Sequence, residues 1–218
     1  MLFRSVGLMD DHEQMATIGF KAEGDRLWLV SASADSHIER QGHLGQSLWL
    51  RECCGREDGA PPPVNLEGER RSGEFVREAI IRGMVNAVHD VADGGILVSV
   101  AEMALAGSLG IDLEPAWMIK QLQPGVAEGL FNETLARMAA DLFGEDQGRY
   151  LVSTRDPEGL DLIAFAEESE ISIRYLGFIG GNSISIGDMP GTSGNFAELP
   201  LTALREASDS FFRDWMEA

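Results

Sequence analysis

The chain has 218 residues, enough for one large domain, and at 44% hydrophobic residues it can bury a core rather than stay disordered. Its 36 acidic and 17 basic side chains leave a formal charge of −19, which repels phosphate backbones and anionic lipid heads and speaks against nucleic-acid or membrane-surface binding. The two cysteines, Cys53 and Cys54, are neighbours, too close for a relaxed disulfide and with no second pair to complete a zinc site; this fits a reducing cytoplasm. The N-terminus lacks a basic segment followed by an apolar run, and no apolar stretch reaches about 18 residues, so neither a signal peptide nor a membrane span is expected.

In chain order, Ala16–Val30 reads as a hairpin, with Ala16–Phe20 and Leu27–Val30 flanking a Glu23-Gly24-Asp25 turn. Ser31 to Val64 shows little periodicity, carries four glycines and ends in Pro61-Pro62-Pro63, the pattern of a long loop with one short helix. Glu67–Gly83 has Phe75, Val76, Ala79 and Ile80 at helical spacing and a glycine as its stop. Val85–Val88 reads as a short strand, Gly94-Gly95 as a turn, Ile96–Ala106 as an apolar helix and Leu109–Leu113 as a strand. Glu133–Phe143 is amphipathic, Tyr150–Val152 is strand-like, and Pro157–Glu168 reads as a helix opened by proline, where a missing N–H costs nothing. Ile171–Ile179 and Ser183–Ile186 read as strands close enough to pair as a hairpin around Gly180-Gly181-Asn182. A linker follows over Gly187–Pro200, and Leu201–Met216 is a final helix. The alternation of short strands and helices predicts an α+β fold, a mixed β-sheet flanked by helices.

Three stretches carry chemistry-bearing residues. His89-Asp90-Val91-Ala92-Asp93-Gly94-Gly95 lies between a strand and a helix, where free N–H groups bind anions and carboxylates hold Mg²⁺; the structural alternative is that Asp93 caps the helix and the glycines allow a tight turn. Gly144-Glu145-Asp146-Gln147-Gly148-Arg149-Tyr150 follows a helix, and Glu145 and Gln147 either face a ligand or belong to an ordinary helix-to-strand connection. Around His43–Ser47, Arg51 and Arg56 either hold a phosphate with Ser47 or pair with nearby Glu52 and Glu57. No glycine-rich phosphate loop and no nucleophile elbow is present, and Lys21 and Lys120 are the only lysines. The residues by themselves describe an α+β domain with two acidic loops.

A resemblance extends this reading. The run from His89-Asp-Val-Ala-Asp-Gly-Gly to Ala104, Leu130-Phe-Asn-Glu with Phe143-Gly-Glu-Asp-Gln-Gly-Arg-Tyr-Leu-Val, Leu44-Gly-Gln-Ser-Leu-Trp-Leu, Pro61-Pro-Pro-Val and Leu176-Gly-Phe-Ile-Gly-Gly together resemble the synthetase subunit of the phosphoribosylformylglycinamidine synthase family. The match covers nearly the whole chain and is similar to the family's last C-terminal module, of the aminoimidazole-ribonucleotide-synthetase type. It implies a division into residues 1–31, a hairpin left over from the preceding module; 32–190, the C-terminal-type domain; and 191–218, a linker with a helix. It implies an ATP-dependent carbon–nitrogen ligase of purine biosynthesis in the cytoplasm, with ATP and Mg²⁺ in the full-length enzyme and none required by this stretch. The implied partners are the remainder of the synthetase chain, a glutaminase subunit and a small accessory subunit. As a pseudo-symmetric copy, the stretch would offer Asp90 to a metal and His89, Asp93, Gly94, Gly95, Glu145, Asp146 and Gln147 to nucleotide or substrate, with no catalytic residue. A related superfamily enzyme, such as aminoimidazole ribonucleotide synthetase, and a non-catalytic scaffold are the alternative readings.

Overall fold

The computed structural model describes residues 11–32, 42–114, 128–155, 159–187 and 195–217. In chain order these form β1 (Arg26–Ser31), α1 (Leu48–Cys54), α2 (Leu66–Ile81), β2 (Ala87–Asp90), α3 (Gly95–Gly107), β3 (Ile111–Leu113), α4 (Glu128–Phe143), β4 (Arg149–Thr154), α5 (Leu160–Glu168), β5 (Ser172–Ile179), β6 (Ser183–Ile186), β7 (Ala197–Pro200) and α6 (Leu201–Glu217). The strands make one sheet in the order β2-β4-β1-β5-β3-β6-β7. Only β3 and β6 run parallel; the other neighbours are antiparallel. This is the mixed sheet with helices packed on it that the alternation predicts.

Two apolar layers sandwich the sheet. Successive strand residues point to opposite faces. On β1, Leu27 and Leu29 join Leu151, Leu176 and the α3 residues Ile96, Val100 and Met103, while Trp28 and Val30 join Val152, Phe75 and Val76 of α2, and Leu162 of α5. The Trp28 indole N–H donates to Thr154 Oγ1 at 3.1 Å, so the one polar atom of this large buried ring is satisfied. Among the described residues, no helix is long and apolar enough to cross a membrane.

Three expectations are corrected. The N-terminal hairpin does not form: β1 pairs with β4 and β5 in the middle of the sheet, and Thr17 makes only an isolated bridge, to Ala87. The reason is visible in β1 itself, whose four central residues are all buried; a strand covered on both faces needs no polar alternation. A boundary at residue 31 would part β1 from both strands it pairs with. β5 and β6 do not pair either, because β3 lies between them. The Gly180–Asn182 turn is wide enough to admit Gly110, whose N–H donates to Gly181 O at 2.8 Å and whose carbonyl accepts from Gly180 N at 2.9 Å. Finally, the expected linker holds β7, which pairs with β6, and α6 buries Leu201 in the core, so residues 197–217 belong to the same body.

Smaller shifts are at element ends. The strand expected over Val85–Val88 runs from Ala87 to Asp90, and α5 is described from Leu160; the expected opening proline, Pro157, lies outside the described residues. The C-terminus of α5 is closed from another helix. Arg71 of α2 donates to Ser169 O at 3.1 Å and Glu170 O at 2.8 Å, two carbonyls that the helix leaves open, while Glu170 takes a left-handed φ of 53°. Arg71→Ala is therefore expected to lower stability by about 1–2 kcal/mol, read as a lower urea midpoint at unchanged m-value. An unchanged midpoint would show that water replaces the guanidinium without loss.

Candidate functional site

The two acidic loops meet at one end of the sheet. β2 ends at Asp90, and Val91 extends its line by donating its N–H to Arg149 O at 2.9 Å, where β4 begins. The chain then turns through Ala92 and Asp93 into Gly94 and Gly95, both with positive φ (79° and 71°), and enters α3. The helix cap is Gly94, which has no side chain to bond the first-turn N–H groups, so Asp93 is not the cap that one reading of the motif expects. Its carboxylate stays exposed.

Glu145 ties this turn to a third segment. Its Oε1 accepts from Gly94 N and from Leu48 N, each at 2.8 Å, so one carboxylate oxygen joins the entrance of α3 to the start of α1. Asp146 turns the other way. Its carboxylate lies 3.8 Å from His43 Nδ1 and 3.5 Å from the Arg149 guanidinium. That guanidinium also donates to Gly144 O at 2.6 Å and Asp146 O at 3.1 Å. Burial lowers the Arg149 pKa from its ordinary value, and Asp146 opposes that shift. The arginine is thus spent on holding the loop.

Between these segments lies a cleft of about 420 Å³. Gly45, Gln46, Pro61 and Pro62 form one wall; Glu69, the turn from Asp90 to Asp93, Glu145 and the run from Gln147 to Tyr150 form the rest. Of the residues singled out in the sequence, Asp90, Asp93, Glu145 and Gln147 share this cleft, and Gly94 and Gly95 stand directly behind it. His89 and Asp146 do not line it. His89 is held between Glu102, at 2.7 Å from Nε2, and Asp90, at 3.2 Å from Nδ1, which straps β2 to α3. Glu69 is a lining residue that the sequence reading passed over, because a glutamate on a helix carries no local signal; Tyr150 closes the second acidic stretch, where it was given no role. Burial, with Asp90 and Glu69 nearby, raises the Tyr150 pKa, so its hydroxyl stays protonated as a donor.

The arrangement sets what the cleft can hold. Glu69, Asp90, Asp93 and Glu145 bring acidic groups to it, Arg149 is engaged by carbonyls, and the Gly94 and Leu48 N–H groups are taken by Glu145. The more distant phosphate candidates are engaged too: Arg51 with Glu52, Arg56 with Asp58, and Ser47 as the cap of α1. Among the described residues no group of three or more His, Cys, Asp or Glu side chains is placed to hold a metal ion. Mg²⁺ is bound through one or two carboxylates plus substrate phosphates. Among the described residues, the cleft carboxylates form no such metal group and the nearby arginines are engaged by the chain's own oxygens, which does not fit a nucleotide–Mg²⁺ site built by this chain alone.

Comparison with known proteins places the fold. A family model described as "AIR synthase related protein, C-terminal domain" matches residues 22–186. The phosphoribosylformylglycinamidine synthase subunit PurL of Novosphingobium aromaticivorans is 44% identical over 212 residues, covering 97% of this chain and 23% of the relative. The subunit of the same name from Parvibaculum lavamentivorans is 40% identical over 217 residues, covering 98% and 25%. The chain therefore spans about a quarter of the length of the curated relatives it matches. Among solved structures, Thermotoga maritima PurL complexed with FGAR superposes with a TM-score of 0.62 at 14% identity over 88% of this chain and 30% of that one. E. coli HypE, a hydrogenase maturation protein, gives 0.51 at 17% identity over 87% and 54%. At these identities the structures share the fold.

Proposed function

We propose a function from one premise: the chain belongs to the family of AIR synthase related protein C-terminal domains. It serves as one module of a phosphoribosylformylglycinamidine synthase, the ligase that converts formylglycinamide ribonucleotide and glutamine-derived ammonia to the amidine in cytoplasmic purine biosynthesis. The observation that carries this reading is the similarity, 44% identity over 97% of the chain, to a subunit about four times as long. In that whole enzyme ATP with Mg²⁺ supplies the phosphoryl group that activates the substrate amide before ammonia displaces it. The module's own residues do something more modest. Glu145 and Arg149 fix the loops at the end of the sheet, and His89 straps β2 to α3. Asp90 and Asp93 present carboxylates at the cleft mouth toward whatever the remainder of the synthetase chain places there. A glutaminase subunit and a small accessory subunit complete the proposed assembly; the solved neighbour from Thermotoga maritima includes a PurLQS structure.

On this reading the chain by itself forms no amidine. Phosphoryl transfer needs metal ligands, phosphate donors and a positioned base acting as a unit, and removal of part of such a unit is strongly non-additive. With ATP, Mg²⁺, formylglycinamide ribonucleotide and ammonia, phosphate release by the chain is expected to equal that of the Asp90→Ala/Glu145→Ala double variant. Substrate-dependent release well above that control would place a working site inside the chain. The positive test is a graft. Put in place of the segment it matches in the Novosphingobium aromaticivorans subunit, the chain is expected to retain amidine formation. A folded but inactive chimera would refute the assignment.

A further inference from the structure

Residues 42–62 form a distinct segment beside the cleft. They fold back on themselves: Gln46 N donates to Asp58 O at 3.1 Å, and the Gln46 amide donates to Glu57 O at 3.0 Å and Gly59 O at 3.3 Å. The helix they contain, α1, has no buried residue. Among the described residues, their hydrogen bonds to the body run along one seam, at the end of α4 and the loop after it, where Gly42 also packs against Ala140 and Gly144. There Glu145 N donates to His43 O at 3.0 Å, His43 N lies 3.4 Å from the Asp146 carboxylate, Leu48 N donates to Glu145 Oε1, and Trp49 stacks on Phe143 with centroids 6.3 Å apart. The same segment supplies a whole wall of the cleft, through Gly45, Gln46, Pro61 and Pro62.

We propose that residues 42–62 are a lid over the cleft and that Glu145 is its latch. A segment that buries little and is held along one seam opens locally, at a free energy below that of global unfolding. Glu145 is the residue on which the seam turns, because one of its oxygens bonds the lid at Leu48 and, at Gly94, the turn that carries the opposite wall. While both bonds stand, the two walls are held together; when they break, the lid lifts without disturbing the sheet. The inference rests on the cleft and its hydrogen bonds and is independent of the reaction assigned above.

Amide hydrogen exchange on the full chain tests it. The reporters are the N–H groups of Leu48, Gly94 and Glu145 at the seam, against Leu29 N–H in the central strand. In Glu145→Ala, exchange at Leu48 and Gly94 is expected to quicken roughly 10- to 100-fold, the range set by losing a hydrogen bond to a charged acceptor, with Leu29 unchanged. Glu145→Gln keeps an oxygen in the same place and is expected to exchange as the parent does. A second variant opens the latch from the lid side. Leu48→Pro removes that donor at the first position of α1, where proline is tolerated, and Ser47 before it is already extended at ψ 158°. It is expected to quicken exchange at Glu145 N–H. Unchanged seam amides in Glu145→Ala and Leu48→Pro would overturn the lid. So would acceleration of Leu29 by the same factor, because the seam would then open only with the whole fold. Exchange in Glu145→Gln as fast as in Glu145→Ala would overturn the hydrogen-bonded latch.

Discussion

Gly95→Ala is expected to cost the domain roughly 2–5 kcal/mol, from a strained φ and an overpacked contact acting together. Gly95 sits at φ 71°, and a β-carbon there would lie 2.6 Å from Phe143 C and 2.7 Å from Gly144 O. Those atoms are backbone at the end of α4, so they cannot move aside as a side chain does. Either α3 or α4 would have to shift, and both helices pack on the same apolar layer, with Ile96, Val100, Met138 and Leu142 buried there. Against a total stability of about 5–15 kcal/mol, the loss reaches a large fraction of the whole. Gly55 provides the control. It has a similar φ of 62° but nothing within 4 Å of its β-carbon position, so Gly55→Ala is expected to lose only about 1 kcal/mol. Urea denaturation of the two variants separates strain from collision; equal midpoints would show that the Gly95 contact relaxes.

Asn86→Ala is expected to remove about 2–4 kcal/mol, because it leaves a buried carboxylate without its amide donor. Asp25, 4% exposed, accepts from Asn86 Nδ2 at 2.8 Å, and the Asn86 oxygen accepts from the Ser153 hydroxyl. The three residues come from the turn before β1, the approach to β2 and the end of β4, so this side-chain bridge joins segments that are neighbours only in the folded sheet. A double-mutant cycle with Asp25→Ala measures the link. The pair is expected to cost less than the sum of the singles, since removing both partners leaves neither stranded. Additive losses would show that the two side chains do not depend on each other.

Asp25 and Asn86 also mark where the amino-acid pattern stops informing. Residues 23–25 carry the mark of a turn, and the turn is there, since Gly24 has a φ of 91°. The partner strand is another matter. A run such as Leu27-Trp-Leu-Val states that both faces are buried but not which strands lie beside it. Its actual neighbours, β4 and β5, begin more than a hundred residues later. The expected hairpin followed from sequence proximity, and long-range pairing prevailed because β1 buries its four apolar side chains fully only between two layers of helices. The β5–β6 hairpin that proximity suggests fails for the same reason: nothing near Gly180 signals that Gly110 will fit into the turn.

The candidate site divides along the same line. The α+β alternation was legible in the sequence, as were the helices over Leu66–Ile81, Gly95–Gly107 and Leu201–Glu217 to within a residue or two at their ends, because helical periodicity and glycine stops act within a few residues. The sequence also carried the resemblance to the phosphoribosylformylglycinamidine synthase family, which rests on ordered motifs. What those residues touch was visible only in the folded chain. Asp93 and Glu145 are both carboxylates beside glycines, and local chemistry does not distinguish them. Yet Asp93 faces solvent, while Glu145 accepts two backbone N–H groups from segments 51 and 97 residues away. Whether a carboxylate is a ligand or a latch depends on which donors the fold brings within 3 Å of it, and those donors come from parts of the chain far away in sequence.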